Sequence, residues 1–360
     1  MQKELIFKDL VVIELACALA GPSVGMFFAE LGAKVIKIEN QTTGGDITRR
    51  WKLPSEDTED SYSSYYYGVN WGKKSLFLDL RIQEDRDQVY QLVKEADIVV
   101  SNFKFGSAQK LGMDYPTLKG VNKSIIFGNV YAYDEDDPRP GFDAALQAET
   151  GWMFMNGHED GPPTKVPLPI IDILAGHQLK EGILVALIHR MKTGDGCNIG
   201  VSLYDSSVSA MTNQSSAYLN LGIIPHRTGS KHPSIAPYGD VVKTSDGVSY
   251  LLAVGTEEHF TSLCHAISNQ KLINDQRFSS NKLRLENRNE LISIIQDSIS
   301  EITAAIFESE CDRFGVPLGP VRNLEQLFNE EDGQELILEE ELEDGRISKC
   351  VKTAVFKFLN

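Results

Sequence analysis

Asp172 closes the apolar, proline-punctuated run Val166-Pro167-Leu168-Pro169-Ile170-Ile171 and stands directly ahead of a segment with helical periodicity. In that segment, Leu174 to Lys192, the residues Leu174, Leu179, Ile183, Leu187 and Ile188 fall near one stripe, and Thr193-Gly194 supplies a stop. A carboxylate at such a point faces the positive end of a helix dipole, which favours the ionised form that a nucleophile or base must have. The same placement also describes a simple N-cap that satisfies amide groups and does no chemistry. Cations suited to an anionic ligand occur at Arg81, Lys104 and Lys110, though a single Lys or Arg is more often a solvated surface side chain.

A scaffold for these side chains is legible in the first half of the chain, which alternates strands and helices. Leu10 to Leu15 reads as a strand, Ala20-Gly21-Pro22-Ser23 as a turn, Val24 to Leu31 as a helix closed by Gly32, and Val35 to Glu39 as the next strand. Strand, Gly-containing turn, helix and a strand ending in an acid outline a nucleotide-binding unit, yet the turn lacks G-x-G-x-x-G. Ser75–Leu80, Asp97–Ser101 and Ile125–Val130 continue as strands with a helix at Glu84–Ala96, so the expectation is an α/β fold with an open, mainly parallel sheet. Asn198–Leu203 reads as a short strand and Ser206–Leu221 as a helix. Asp240–Val254 alternates about Asp246-Gly247 as a hairpin, and Glu258–Phe314 reads as helical. Ser55–Tyr67, with Tyr62, Tyr65, Tyr66 and Tyr67, reads as a surface segment whose aromatics pack on the domain. The acidic runs Asp134–Asp137 and Glu339–Asp344 read as solvated.

The 360 residues, 42% hydrophobic and 24% charged, suffice for one large core or two. A net charge of -16 argues against a nucleic-acid partner, because phosphate contacts need a basic footprint. Met1–Lys8 is short and mixed and no apolar run approaches a membrane span, which predicts a cytoplasmic protein with no membrane partner. Cys17, Cys197, Cys264, Cys311 and Cys350 are odd in number and widely spaced, suggesting neither a disulfide framework nor a metal site.

Several blocks, in order, resemble the class III CoA-transferases, the group of formyl-CoA and carnitine CoA-transferases, with the α-methylacyl-CoA racemases as cousins. They are Val12–Leu15, Ala20-Gly21-Pro22, Leu31–Glu39, Gly45–Arg49, Gly72–Leu80, Ala96–Phe103, His189–Gly194, Arg227–Pro233 and Ala236-Pro237-Tyr238. The resemblance implies a large Rossmann-like domain made of both chain ends (1–223 with a return over 320–360), a small α+β domain at 224–319, and an interlinked ring-like homodimer. It implies coenzyme A, as acyl-CoA, for a substrate, a carboxylic acid as acceptor, and no metal. Asp172, which follows Gly161-Pro162-Pro163, matches the family nucleophile that passes through aspartyl anhydride and aspartyl-CoA intermediates. Positions matching the family's CoA contacts are Leu19, Ala20, Asn40, Leu78, Asp79, Leu80, Arg81, Asn102, Phe103, Lys104, Lys110, Pro140, Gly141, Phe142 and Asp143. Leu19 and Asn40 depart from the Gln and Arg of formyl-CoA transferase.

Racemases of the superfamily read Gly-His-Asp where this chain has Gly141-Phe142-Asp143, and phenylalanine transfers no proton. His177, five residues after Asp172, points to another helical face. Transferase is therefore favoured over racemase, with a non-catalytic CoA-binding homologue as the other alternative. The glycine run that covers the reacting Asp in formyl-CoA transferase is replaced by Ala253–Phe260, where Glu257 or Glu258 either lines an acyl pocket or belongs to a capped helix start. Relatives usually continue beyond the point at which this sequence stops, Asn360.

Overall fold

A computed structural model describes residues 5–342 and 344–359; the parts of the Met1–Lys8 and Glu339–Asp344 readings that fall on residues 1–4 and 343 lie outside them. Six strands, β1 (Val11–Leu15), β2 (Lys34–Asn40), β3 (Lys73–Leu78), β4 (Ile98–Ser101), β5 (Ile126–Tyr131) and β6 (Asn198–Ser202), form one sheet in the order 3-2-1-4-5-6. Every pairing in it is parallel. The two-residue alternation of the strands feeds a core on each face. Val12, Val35, Ile98, Val100 and Ile126 meet one set of helices, and Ile13, Ile36, Val99 and Phe127 the other.

The helices of this part are α1 (Ala20–Glu30), α2 (Ser64–Tyr67), α3 (Gln83–Glu95), α4 (Ser107–Leu111), α5 (Tyr115–Val121), α6 (Asp143–Glu149), α7 (Trp152–Met155), α8 (Ile170–Thr193), α9 (Leu203–Ser209) and α10 (Thr212–Leu221). α1 and α8 supply Val24, Phe28, Leu179 and Ile183 to the first core, whereas α3 and α5 supply Val89, Val93 and Leu118 to the second. The single helix expected over Ser206–Leu221 is two, because the chain breaks at Ala210-Met211 and Thr212 takes φ 33°.

The chain divides into two compact units: Met1–Trp152, Lys165–Ile224 and Asp332–Asn360 in the first, Met153–Thr164 and Pro225–Glu331 in the second. The second unit holds the antiparallel sheet β7 (Tyr238–Lys243), β8 (Ser249–Ala253) and β9 (Leu318–Pro320). On it pack α11 (Glu257–Ala266), α12 (Asn281–Glu286), α13 (Arg288–Ile299) and α14 (Ala304–Phe314), around Tyr250, Phe260, Phe278 and Phe307. The expected boundary at 319 falls within β9, the third strand of this sheet, and the unit runs on to Glu331. Residues 153–164 also belong to it, Gly229 N–H donating to the Gly157 carbonyl at 2.9 Å.

The return to the first unit is the hairpin β10 (Ile337–Glu341) and β11 (Ile347–Val351). Glu339–Glu341 lies in the strand β10, with Glu339 and Glu341 exposed, and Glu339 pairs with Lys349 at 2.6 Å. The Glu30 carboxylate at the end of α1 fixes the segment after β11 by accepting Thr353 N–H (2.8 Å), the Thr353 hydroxyl (2.6 Å) and Ala354 N–H (3.0 Å).

Candidate active site

In a parallel sheet all strands end at one edge, and ligands bind there at the point where neighbouring strands send their helices to opposite faces. β1 and β4 are such neighbours: α1 lies on the first core and α5 on the second. The fold gathers the expected CoA-contact positions along this edge. Leu19 and Ala20 open α1 after β1, Asn40 ends β2, Leu78 to Arg81 end and follow β3, Asn102 to Lys104 follow β4, and Pro140 to Phe142 lie between β5 and α6, of which Asp143 is the first residue. Lys110 sits farther on, in α4.

The β1–α1 turn is held in a conformation that a non-glycine residue adopts only when clamped. Ala18 has φ 67°, in the left-handed region. The Asn102 side chain bonds both backbone polar groups of the preceding residue, accepting Cys17 N–H at 3.0 Å and donating to the Cys17 carbonyl at 2.7 Å, while Asp46 accepts Ala18 N–H at 3.2 Å. Two of the expected cations differ from the third. Arg81 is closed on its neighbour Asp79 at 2.7 Å, which holds the Asp79 carboxyl down at about 2. Lys104 and Lys110 are exposed and make no ion pair among the described residues. Asn40 spends its side-chain oxygen on Thr42, accepting both N–H (3.0 Å) and hydroxyl (2.8 Å).

Asp172 lies in the first turn of α8, two residues inside a helix that begins at Ile170, not ahead of it. The N-cap position belongs to Pro169, which offers no side-chain acceptor. The amide group that a local cap would satisfy is instead taken by Asp143 of α6, whose Oδ2 accepts Ile171 N–H at 2.7 Å. Asp143 Oδ1 accepts the Gln147 side-chain amide at 2.7 Å, and the Gln147 oxygen accepts Val166 N–H at 2.8 Å, pinning the run that leads into α8. Asp172 itself is half-buried and accepts no hydrogen bond among the described residues.

The expectation that the helix dipole keeps this carboxyl comfortably ionised is corrected. Burial, and then the nearby Asp143 charge, push Asp172 up to about 7. The dipole favours a charge near α8's first turn, but withdrawal from water and a like-charged neighbour outweigh it. Tyr65 of α2 feels the same environment: burial and then Asp172, Asp143 and Asp46 push its phenol up to about 12, so it remains a hydrogen-bond donor. One turn along α8, Gly176 permits close approach to α1, since a Cβ there would lie 2.4 Å from the Ser23 hydroxyl and 3.0 Å from the Ala20 carbonyl. That contact seats the Asp172 turn beside the start of α1.

Phe142 caps nothing and is 64% exposed, and His177 is exposed on α8. In the second unit, Glu257 is held by both terminal nitrogens of the buried Arg284 (2.8 and 2.7 Å), whose Nε donates to the Ala236 carbonyl, while Thr256 caps α11 by accepting His259 N–H. Glu257 is therefore a structural partner of Arg284 within its own unit, and Glu258 is exposed. Gln147, Tyr65 and Gly176 were not singled out by the sequence. The i,i+4 spacing of Asp143 and Gln147 is the one local signal that could have found any of them. Among the described residues no group of three or more His, Cys, Asp or Glu is placed to hold a metal ion.

Residues 7–359 match the family model for CoA-transferase family III. The chain belongs to that family. It is 36% identical over 352 residues to the succinate–glutarate CoA-transferase of Agrobacterium fabrum, covering 96% of this chain and 87% of the relative. With the succinyl-CoA:mesaconate CoA-transferase of Haloarcula hispanica it shares 35% identity over 89% of this chain and 82% of the other. A crystal structure of a CaiB/BaiF family protein from Brucella suis superposes with a TM-score of 0.84 at 33% identity, covering 97% of this chain and 91% of that one. This family III member is an enzyme that transfers CoA from an acyl-CoA thioester to a carboxylic acid. No helix among the described residues is long and apolar enough to cross a membrane.

Proposed function

We propose that Asp172 is the nucleophile of this CoA-transferase and that its substrates are dicarboxylic acids and their CoA thioesters. One observation carries the reading: Asp172 is a half-buried carboxylate with no hydrogen-bond donor among the described residues, in the first turn of a helix that starts at the sheet's ligand-binding edge. Carboxylates in structural roles are paired or bonded, and one left bare and pushed up to about 7 is a stronger nucleophile than an ordinary aspartate. Its attack on the thioester carbonyl expels CoA thiolate and leaves a mixed anhydride. The thiolate then attacks the aspartyl carbonyl, releasing the donor acid and leaving an aspartyl-CoA thioester. An acceptor carboxylate displaces the thiolate to form a second anhydride, and thiolate attack on its acyl carbonyl gives the new acyl-CoA and restores Asp172. No net proton is exchanged. Tyr65, whose phenol stays protonated in the field of Asp172 and Asp143, is the group we assign as donor to the oxyanion formed in each attack.

CoA lies along the strand ends, over Leu19, Ala20, Asn40, Leu78 to Arg81, Asn102 to Lys104 and Pro140 to Phe142, with Lys104 and Lys110 supplying charge for its phosphates. The protein acts in the cytoplasm as a homodimer. The dimer is supported by α10, which has no buried residue and exposes Tyr218, Leu219 and Leu221 ahead of exposed Ile223 and Ile224. The dicarboxylate class follows the names of the Agrobacterium and Haloarcula relatives. The test is an exchange assay with succinyl-CoA as donor and a panel of mono- and dicarboxylic acids, read by chromatography of the CoA esters. Glutarate or another dicarboxylate should head the panel; uniform preference for monocarboxylic acids would overturn the substrate class.

A further inference from the structure

Asp143 stands in an unusual relation to Asp172. A helix start is ordinarily capped by the residue before it, at little electrostatic cost to anything else. Here Pro169 removes that option, and the capping carboxylate comes from α6, 28 positions before the amide it binds, with its charge beside Asp172. Its orientation is not left to chance. Gln147 is fully buried, gives its amide to Asp143 Oδ1 at 2.7 Å and receives Val166 N–H at 2.8 Å, so one side chain fixes both the cap and the stretch of chain that enters α8. Both Asp143 oxygens are thereby engaged by donors, whereas Asp172 has none among the described residues.

We propose that Asp143, oriented by Gln147, is a positioning residue that sets the reactivity of Asp172: it takes the helix amide that would otherwise quiet a nearby carboxylate and places a fixed negative charge beside the one that reacts. This rests on the reading of Asp172 as nucleophile and adds what tunes it. Withholding donors and adding a like charge both destabilise the ionised form of Asp172 and so strengthen it as a nucleophile. The titratable groups facing Asp172 are Asp143 from α6 and Tyr65 from α2, with Asp46 beyond them. The other elements packed on α8 do not compete. α1 carries only Glu30, which faces Lys180; α9 carries Tyr204 and Asp205 on its exposed side; β5 carries Tyr131, which faces Asn129 and Glu135. Burial is the larger cause that sets this carboxyl apart, and Asp143 is the charge that adds to it.

The experiment is the pH profile of kcat/KM for CoA transfer in Asp143→Asn, Asp143→Glu and Asp172→Asn, beside direct titration of the Asp172 carboxyl by 13C NMR on Asp-labelled protein, with the Asp172→Asn spectrum assigning the resonance. Asp143→Asn keeps an oxygen for Ile171 N–H and loses the charge. Its acid limb should move down by about one pH unit, with kcat lowered ten- to a hundred-fold, and Asp143→Glu should restore much of both. The NMR titration should shift in step without any turnover being needed. A folded Asp143→Asn protein whose limb and Asp172 titration both stay in place would overturn the proposal, since a purely structural role lowers activity equally at every pH. Should Asp143→Asn not fold, a wild-type limb and Asp172 titration at the usual carboxylate range would overturn it as well. Full activity in Asp172→Asn would instead overturn the nucleophile itself, so the two failures are distinguishable.

Discussion

Two groups of acids in the first unit, one buried and one half-buried, are built in opposite ways. Around β1 and β2, every acid has a cation: Lys37 bridges Glu14 (2.7 Å) and Asp46 (2.9 Å), Lys73 reaches Glu14 at 2.8 Å, and Arg49 grips Glu39 at 2.6 Å. Gly25 of α1 makes room for this, because a Cβ there would lie 1.9 Å from the Glu14 carboxylate. Burial works against the charge of Glu39, yet Arg49 holds its carboxyl down at about 2; Lys37 likewise keeps Asp46 below the usual range. Around the start of α8, Asp143 and Asp172 lie together with no ion pair among the described residues, and burial and then the Asp143 charge push Asp172 up. Both groups are acidic and withdrawn from water. With Asp172 as the proposed nucleophile, what separates the two groups is compensation: the charges around β1 and β2 are neutralised, and the charge proposed for chemistry is not.

The contrast is broken most severely by removing a compensating cation. Lys37→Met leaves Glu14 and Asp46 buried without their shared partner and should cost about 3–5 kcal/mol of stability, measured by denaturant unfolding. A loss under about 1 kcal/mol would mean the cluster is not a matched one. The opposite change at the uncompensated site should stabilise. The Asp172 carboxyl is raised in the folded state from 3.8 to about 7, so the wild-type protein loses stability as pH rises through that window. Asp172→Asn should therefore be more stable than wild type by on the order of 2 kcal/mol at pH 8, the difference narrowing below pH 7 and vanishing near pH 4. Equal stability at pH 8 would show that Asp172 bears no strain of charge. The smallest effect belongs to the two exposed cations proposed to meet the CoA phosphates, which make no ion pair among the described residues. Charge reversal at Lys104 or Lys110 should raise the KM for acyl-CoA about tenfold while changing kcat little, and salt should weaken wild-type binding in the same sense. Unchanged kinetics in both variants would remove them from the CoA site.

The parallel sheet was legible because its strands are short apolar runs between turn signals, and β1, β2, β4 and β5 lie within a residue or two of where the pattern put them. Asp172 was legible too, as a carboxylate near a helix start. Its surroundings were not. The pattern counted Leu174 as the first helical residue, since a proline two positions before Ile171 reads as loop, whereas Pro169 is the N-cap of a helix that starts at Ile170. The sign of the Asp172 shift depends on burial and on Asp143, 29 positions upstream, which no local pattern reports. The tyrosines of Ser55–Tyr67 were read as surface packing. Tyr66 is buried, donates to Glu39 at 3.0 Å and accepts from Arg49 at 2.7 Å, and the Tyr62 ring, 5.7 Å from that of Tyr66, meets the same guanidinium. Arg49 and Glu39 are ten residues apart and Tyr66 comes from another element, so the box exists only once the sheet has closed.

The most direct test of Asp172 as the reacting group is intact-mass spectrometry of the protein mixed with succinyl-CoA in the absence of an acceptor acid, followed by peptide mapping. A covalent CoA adduct should form on the peptide containing Asp172, be discharged on adding a dicarboxylic acceptor, and be absent from Asp172→Asn. Turnover that persists in Asp172→Asn, or an adduct that maps to another residue and is discharged by the acceptor, would contradict it.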